Sequence, residues 1–388
     1  MTSSPVAASV STFGATEGWD VAIVVPAKDE AARITDCLSA ISVSADSVCK
    51  GRVGLVLVVN NSTDATAELA RDWASMQRTP ALVVDHHFSA DQAGVGSSRR
   101  LGIDLAMRSL RGNGTVMMTD ADTHVTPSWV AENVADLKTA DVVCGVVNAI
   151  PAEQAALPVE ISRHGAWESD YVAASLKLAA LLDPMPHDRN PAHHNAAGAS
   201  MAFRTSVYQS VGGIPPLTMG EDRAFVALAE AQDFRIRYSD RPVVRTSCRM
   251  IGRTDGGMAG ALRERRDAAD PRSDEWLEPA QTFYLRYALR GALRSVWPSA
   301  DAIDQVLVRY MGRAGLSFRV KPLPVYFGAF VQQIETCSPQ LDRVRMRQSD
   351  CRRELPMLLN LLAARLTKAQ PYEVFGKRGS ANDAPISI

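Results

Sequence analysis

Between Val21 and Leu137 short apolar runs alternate with segments of helical period, and this alternation constrains the fold more than any other feature of the chain. VAIVVP precedes a helical stretch from about Glu30 to Ile41, VGLVLVVN one from Ala65 to Met76, and ALVVDH the glycine-bearing AGVGSS with a helix near Ser98 to Leu110. TVMMTDAD closes the series. Right-handed crossovers make such strands parallel and align their carboxyl ends along one edge of the sheet. Open α/β sheets bind their ligands at that edge.

Further along, DVVCGVVNAI predicts a strand, Ala155 to Leu182 a helix, and the breaker-rich DPMPHDRNPAHHN a loop. AAGASMAFR then reads as a strand, GGIPPLTMGED as a turn into a helix, and FRIRYSDRPVVRTS as one or two strands. From about residue 257 the texture changes to long helical patterns rich in arginine. The expected organisation is a loose tail over 1–19, a sheet domain over 20–255, a helical carboxyl-terminal region over 256–375 and a disordered tail over 376–388.

The charge balance, 42 basic against 43 acidic side chains, leaves no surplus for a nucleic-acid surface. Six cysteines without any C-x-x-C spacing argue against a thiolate zinc site or a disulfide framework. The first nineteen residues have neither a basic nor a continuous apolar stretch of the kind a secretory leader needs. No later segment approaches the roughly 18 apolar residues that span a bilayer. A cytoplasmic location is expected, with peripheral contact at the inner membrane face as a second option. That option rests on the stripe Leu355, Leu358, Leu359, Leu362 and Leu366, which reads as a core face or as a membrane-lying one.

Chemistry concentrates at the end of the TVMMTDAD run, where Asp120 and Asp122 stand one residue apart as a buried strand gives way to a loop. A hard cation such as Mg²⁺ or Mn²⁺ takes one or two protein carboxylates and completes its shell with phosphate and water. Two acids after a strand are also what a solvated turn or a helix cap looks like.

The remaining motifs shift that balance. VVPAKDE, VVNNSTDAT, the glycine loop ending in SSRR, TDADT and MGED occur together in an order and spacing that resemble family 2 glycosyltransferases of the GT-A fold. The resemblance covers about residues 20 to 255. It implies an α/β fold with a Rossmann-like mixed sheet flanked by helices, and transfer of a hexose-type sugar from a nucleoside diphosphate, UDP or GDP, to a hydroxyl acceptor.

Residue by residue, the resemblance puts Pro26, Lys28, Glu30, Asn60 and Asn61 around the nucleotide, with Arg99 beside it. Asp120 then reaches ribose or metal-bound water, and Asp122 ligates the metal. Asn60-Asn61 stands where the family usually has Asp-Asp, so amide oxygens replace carboxylates and the base stays open. For Asn60 to Thr66 a turn and helix cap is the competing reading. Glu221 and Asp222 take the place of the catalytic acids, with Asp222 as the general base of an inverting reaction. His193 and His194 fall where donor sugar or acceptor binds, and Arg249 and Arg253 where a loop closes on the diphosphate. A retaining transferase of the same fold with a phosphoglycerate-type acceptor, or a non-catalytic sugar-nucleotide-binding partner protein, are the rival readings.

Overall fold

The computed structural model describes residues 9–48, 52–252, 257–318 and 322–369. Among them nine strands form one sheet: β1 (Ser9–Phe13), β2 (Trp19–Ala27), β3 (Val53–Asn60), β4 (Ala81–His86), β5 (Leu110–Met118), β6 (Thr123–Val125), β7 (Val142–Ala149), β8 (Met201–Arg204) and β9 (Ile236–Thr246). Their order is β1-β4-β3-β2-β5-β8-β7-β9-β6. As the apolar runs predict, β2 pairs in parallel with β3 and β5, and β3 with β4. Every residue of β3 is buried, as a strand covered on both faces requires.

One face packs on the helices Ile34–Asp46 and Thr66–Met76 through Leu38, Ile41 and Trp73. The other packs on Val95–Ser109 and Glu221–Ala231 through Ile103, Ala106, Phe225 and Ala229. The sheet is mixed where the sequence pattern is silent: β8 runs antiparallel to both β5 and β7, and the short β6 antiparallel to β9. A mixed sheet flanked by helices is what the resemblance implied.

Three expectations are corrected. Ser9–Phe13, placed in a loose tail, adds an antiparallel edge strand to β4, because its backbone satisfies the otherwise open edge of that strand. The helix expected from Glu30 begins at Ile34, because the Glu30 and Ala31 amides are bound by the side chains of Thr66 and Asp64 instead. The helix expected over Ala155 to Leu182 is two, Pro151–Ala155 and Val159–Leu182, with Pro158 capping the second. FRIRYSDRPVVRTS, read as one or two strands, makes one over residues 236–246, whose pairing with β7 shifts register between Cys144 and Val146.

Beyond β9 the described chain is mostly helical. Ala280–Val296 and Gln348–Ala369 pack with Val159–Leu182 around Tyr171, Leu178 and Phe283. Several of its arginines are internal struts. Arg286 is buried against Glu278, its Nε 2.7 Å from Oε1, and Arg294 donates to Asp183 at the end of Val159–Leu182. Of the leucine stripe, Leu358 and Leu362 are buried and Leu355 packs beside them, while Leu359 and Leu366 face outward. Among the described residues no helix is long and apolar enough to cross a membrane, and Cys37, Cys144, Cys248, Cys337 and Cys351 are free thiols.

Candidate active site

The carboxyl ends of β2, β3 and β5 open into a cleft of about 1340 Å³. Its floor is set by loops that bind one another. Asp29, at a left-handed φ of 51°, donates its amide to Ser62 Oγ at 2.9 Å and accepts the Thr63 amide on Oδ1 at 2.7 Å. Asp64 Oδ1 accepts the Thr66 amide at 3.0 Å, so the turn-and-cap reading holds for this stretch. Pro26, Lys28, Glu30 and Asn60 border the cleft.

Asn61 does not border it. Its Nδ2 donates to Phe88 O at 2.9 Å and its Oδ1 accepts the Phe88 amide at 3.1 Å, so both ends of the amide clamp the strand exit after β4. The expectation that Asn61 lines a base pocket is corrected on that geometry.

Arg99, in the first turns of Val95–Ser109, is almost wholly buried rather than laid open to a nucleotide. Its guanidinium joins Glu221 on one side and Asp120 Oδ1, at 2.5 Å, on the other. Burial opposes its charge, but Asp120 and Glu221 more than compensate and hold it protonated above the ordinary arginine value. Gly198 lies directly over this guanidinium, where an added Cβ would collide with it. The Gly198 amide in turn donates to Asp222 Oδ2 at 2.8 Å.

The Glu221-Asp222 pair therefore divides. Glu221 is 2 % exposed and spent on Arg99, whereas Asp222 is partly exposed at the cleft wall, at the start of the helix Glu221–Ala231.

Asp122 is placed by the β6–β9 pairing. Thr123 donates to Thr246 Oγ1 at 2.8 Å, and the Ser247 amide to Asp122 O at 3.1 Å. Just beyond, Arg249 Nη2 lies 3.1 Å from Asp122 Oδ2 and the guanidinium forks onto Glu30, with Nη1 2.8 Å from Oε2. Glu153 fixes this strand exit: Oε2 accepts Ser247 Oγ at 2.7 Å and the Cys248 amide at 3.0 Å, while Oε1 accepts Arg33. Burial, then the charge of Asp120, outweigh Arg249 and push the Asp122 carboxyl up to about 6. Thr246, Ser247, Glu153 and Gly198 carry no motif, and sequence reasoning did not find them.

His194 borders the cleft, stacked on Trp276 with ring centroids 4.3 Å apart and with Nε2 3.3 Å from Asp274. His193 does not. Its Nδ1 accepts the Asn195 amide, its Nε2 lies 3.3 Å from Ser239 O, and burial lowers its pKa. Arg253 lies outside the described residues.

The family model described as Glycosyl transferase family 2 matches residues 22–209. No curated protein matches the chain. Among solved structures, the chain is similar to a mannosyltransferase of Pyrobaculum calidifontis in complex with GDP-Man and Mn²⁺, at 18 % identity and a TM-score of 0.45, over 92 % of this chain and 90 % of that one. TarS of S. aureus, residues 1–349 with UDP, shares 13 % identity at a TM-score of 0.43, over 91 % and 93 %. Glucosyl-3-phosphoglycerate synthase of Mycobacterium tuberculosis, in complex with Mn²⁺, UDP and glucosyl-3-phosphoglycerate, shares 16 % at 0.39, over 64 % and 79 %.

Proposed function

We propose that the chain, a glycosyltransferase whose residues 22–209 match glycosyl transferase family 2, inverts the anomeric carbon of a nucleoside-diphosphate sugar, with Asp222 as general base. The observation that carries this reading is the union of two acidic sites in one cleft. Asp120 and Asp122 at the end of β5, and Asp222 at the start of Glu221–Ala231, face the same space, and Arg99 joins Asp120 to Glu221, the residue before Asp222.

Asp222 is suited to take a proton. The Gly198 amide holds Oδ2 at 2.8 Å and the Arg223 amide holds Oδ1 at 2.8 Å, so the carboxylate is oriented by backbone amides and forms no ion pair among the described residues. It accepts the proton of the acceptor hydroxyl as that oxygen bonds to the anomeric carbon from the face opposite the diphosphate. The bond from the anomeric carbon to the diphosphate oxygen breaks with its electron pair, and the nucleoside diphosphate leaves.

A divalent cation fits the donor end. Burial and Asp120 raise the Asp122 pKa despite Arg249, so the local carboxylates are under-neutralised, and their hard oxygens suit Mg²⁺ or Mn²⁺. No cluster of three or more His, Cys, Asp or Glu side chains is present among the described residues, so Asp120 and Asp122 would hold the ion together with diphosphate and water. Bound there, it would offset the charge that builds on the leaving diphosphate. Arg249 stands beside Asp122, so it can trade its carboxylate partners for phosphate oxygens when donor enters. Lys28, Glu30 and Asn60 are left for the nucleoside, UDP being the donor we propose and GDP the alternative.

Turnover of UDP- and GDP-sugars with Mn²⁺, read as nucleoside diphosphate released with an acceptor panel, tests this. Asp222→Asn is expected to lower kcat about 10²-fold or more while nucleotide affinity stays within about twofold. Product of retained anomeric configuration would overturn the inverting assignment, and full activity of the variant would overturn the base.

A further inference from the structure

Among the described residues six cationic side chains border the cleft, Lys28, Arg99, Arg223, Arg249, Arg343 and Arg345. Arg99 is held by Asp120 and Glu221, Arg249 by Glu30 and Asp122, and Arg223 by Glu275 at 2.5 Å. Arg343 and Arg345 differ. Arg343 Nη1 donates to Trp276 O at 3.1 Å and Arg345 Nε to Ser273 O at 3.4 Å, and neither forms an ion pair among the described residues. Each guanidinium is anchored through one nitrogen and keeps its other donors, and both side chains are exposed.

The segment carrying them runs antiparallel to the one before it: Gln348 N donates to Pro271 O, Ser273 N to Met346 O, and Arg272 bridges Arg347. Both arginines border the cleft, while Met346 between Arg345 and Arg347 is buried. This wall stands at the Asp222 end. Glu275 is paired with Arg223, the neighbour of Asp222, and Trp276 stacks on His194, which precedes the Gly198 that holds Asp222. Glu230 borders the same recess two turns along the helix from Asp222.

We propose that Arg343 and Arg345 form an anion site at the acceptor end of the cleft, and that the acceptor is a hydroxyl compound bearing a phosphate or carboxylate group. The inference rests on the donor–acceptor polarity proposed above. It places the anion where two forked donors meet it, with the hydroxyl toward Asp222 and the Trp276–His194 stack beside it.

The test titrates inorganic phosphate, glycerol 3-phosphate, glycerate and glycerol calorimetrically into the full chain saturated with UDP and Mn²⁺. The anions are expected to bind and glycerol not to. Arg343→Gln with Arg345→Gln should weaken the anions about tenfold or more with UDP affinity unchanged, and Glu230→Gln should leave their binding equal or tighter. Co-flotation with vesicles of phosphatidylcholine with and without phosphatidic acid identifies the source. Arginine-dependent flotation on the acidic vesicles alone assigns a lipid-borne phosphate, and calorimetric binding without flotation a soluble one. Anion affinity equal in the parent and the double variant, or absence of binding in both formats, overturns the proposal. If UDP fails to bind the parent, the donor reading falls, while the phosphate titration on nucleotide-free protein still reads the arginine pair.

Discussion

Arg99 and Glu221 form an ion pair with side chains 4 % and 2 % exposed, and the same guanidinium holds Asp120 across the cleft floor. Removing one partner of such a pair leaves an uncompensated buried charge, which costs about 3–5 kcal/mol. Arg99→Ala is therefore expected to destabilise the chain by about that amount in urea denaturation. Adding Glu221→Gln should recover part of the loss, because the stranded charge is then gone. A double variant less stable than Arg99→Ala by the full Glu221→Gln increment would mean that the two side chains do not interact.

Gly198 links that pair to the proposed base. A side chain there meets the Arg99 guanidinium, while the Gly198 amide holds Asp222. Gly198→Ala should cost roughly 1–3 kcal/mol of stability. It should also lower kcat by about 10²-fold, since displacement of a catalytic group by about 1 Å is enough for that. KM for the donor should change far less, and an unchanged kcat would detach Gly198 from the chemistry.

Asp122 gives a pH signature. Burial and Asp120 raise its carboxyl to about 6, above its unfolded value, so folding favours the protonated form. The ionised form costs stability above that pH, roughly 3 kcal/mol in full, and the cost disappears below about pH 4, where the group is protonated in both states. Without divalent cation, Asp122→Asn should stabilise the chain more at pH 7.5 than at pH 4.5. Mn²⁺ affinity of the parent, which requires the ionised form, should fall as pH drops below about 6. Equal stability increments at both pH values would place the shift elsewhere.

The parallel core and the two acidic positions were legible because both are local. Continuous apolar runs specify buried strands, and a strand end followed by Asp120 and Asp122 is visible within one window. Partners distant in the chain were not legible. Arg249 was expected at the diphosphate, but its fork onto Glu30 crosses 219 positions. Arg99 was read as lying against the nucleotide, whereas its burial is decided by Glu221, 122 positions away. AAGASMAFR was read as the strand that contains β8, but its antiparallel direction is set by partners distant in the chain, and β6, residues 123–125, is too short to carry a periodic signal. Arg343 and Arg345 lie beyond the stretch that carries the resemblance, and no spacing rule ties them to a cleft built by residues 26–249.

The neighbouring asparagines Asn60 and Asn61 make opposite predictions despite standing side by side. Asn60 borders the cleft, while Asn61, at a left-handed φ of 47°, commits its amide to both backbone groups of Phe88. Asn61→Ala loses those two hydrogen bonds and puts alanine into a left-handed conformation, so a loss of about 1–3 kcal/mol is expected in thermal or urea unfolding. The ratio of UDP to GDP affinity should stay within about twofold, because the side chain does not face the nucleoside. Asn60→Ala should do the reverse, changing that ratio with a smaller effect on stability. A change of base preference in Asn61→Ala, with stability intact, would return this residue to the base pocket and remove the clamp as its purpose.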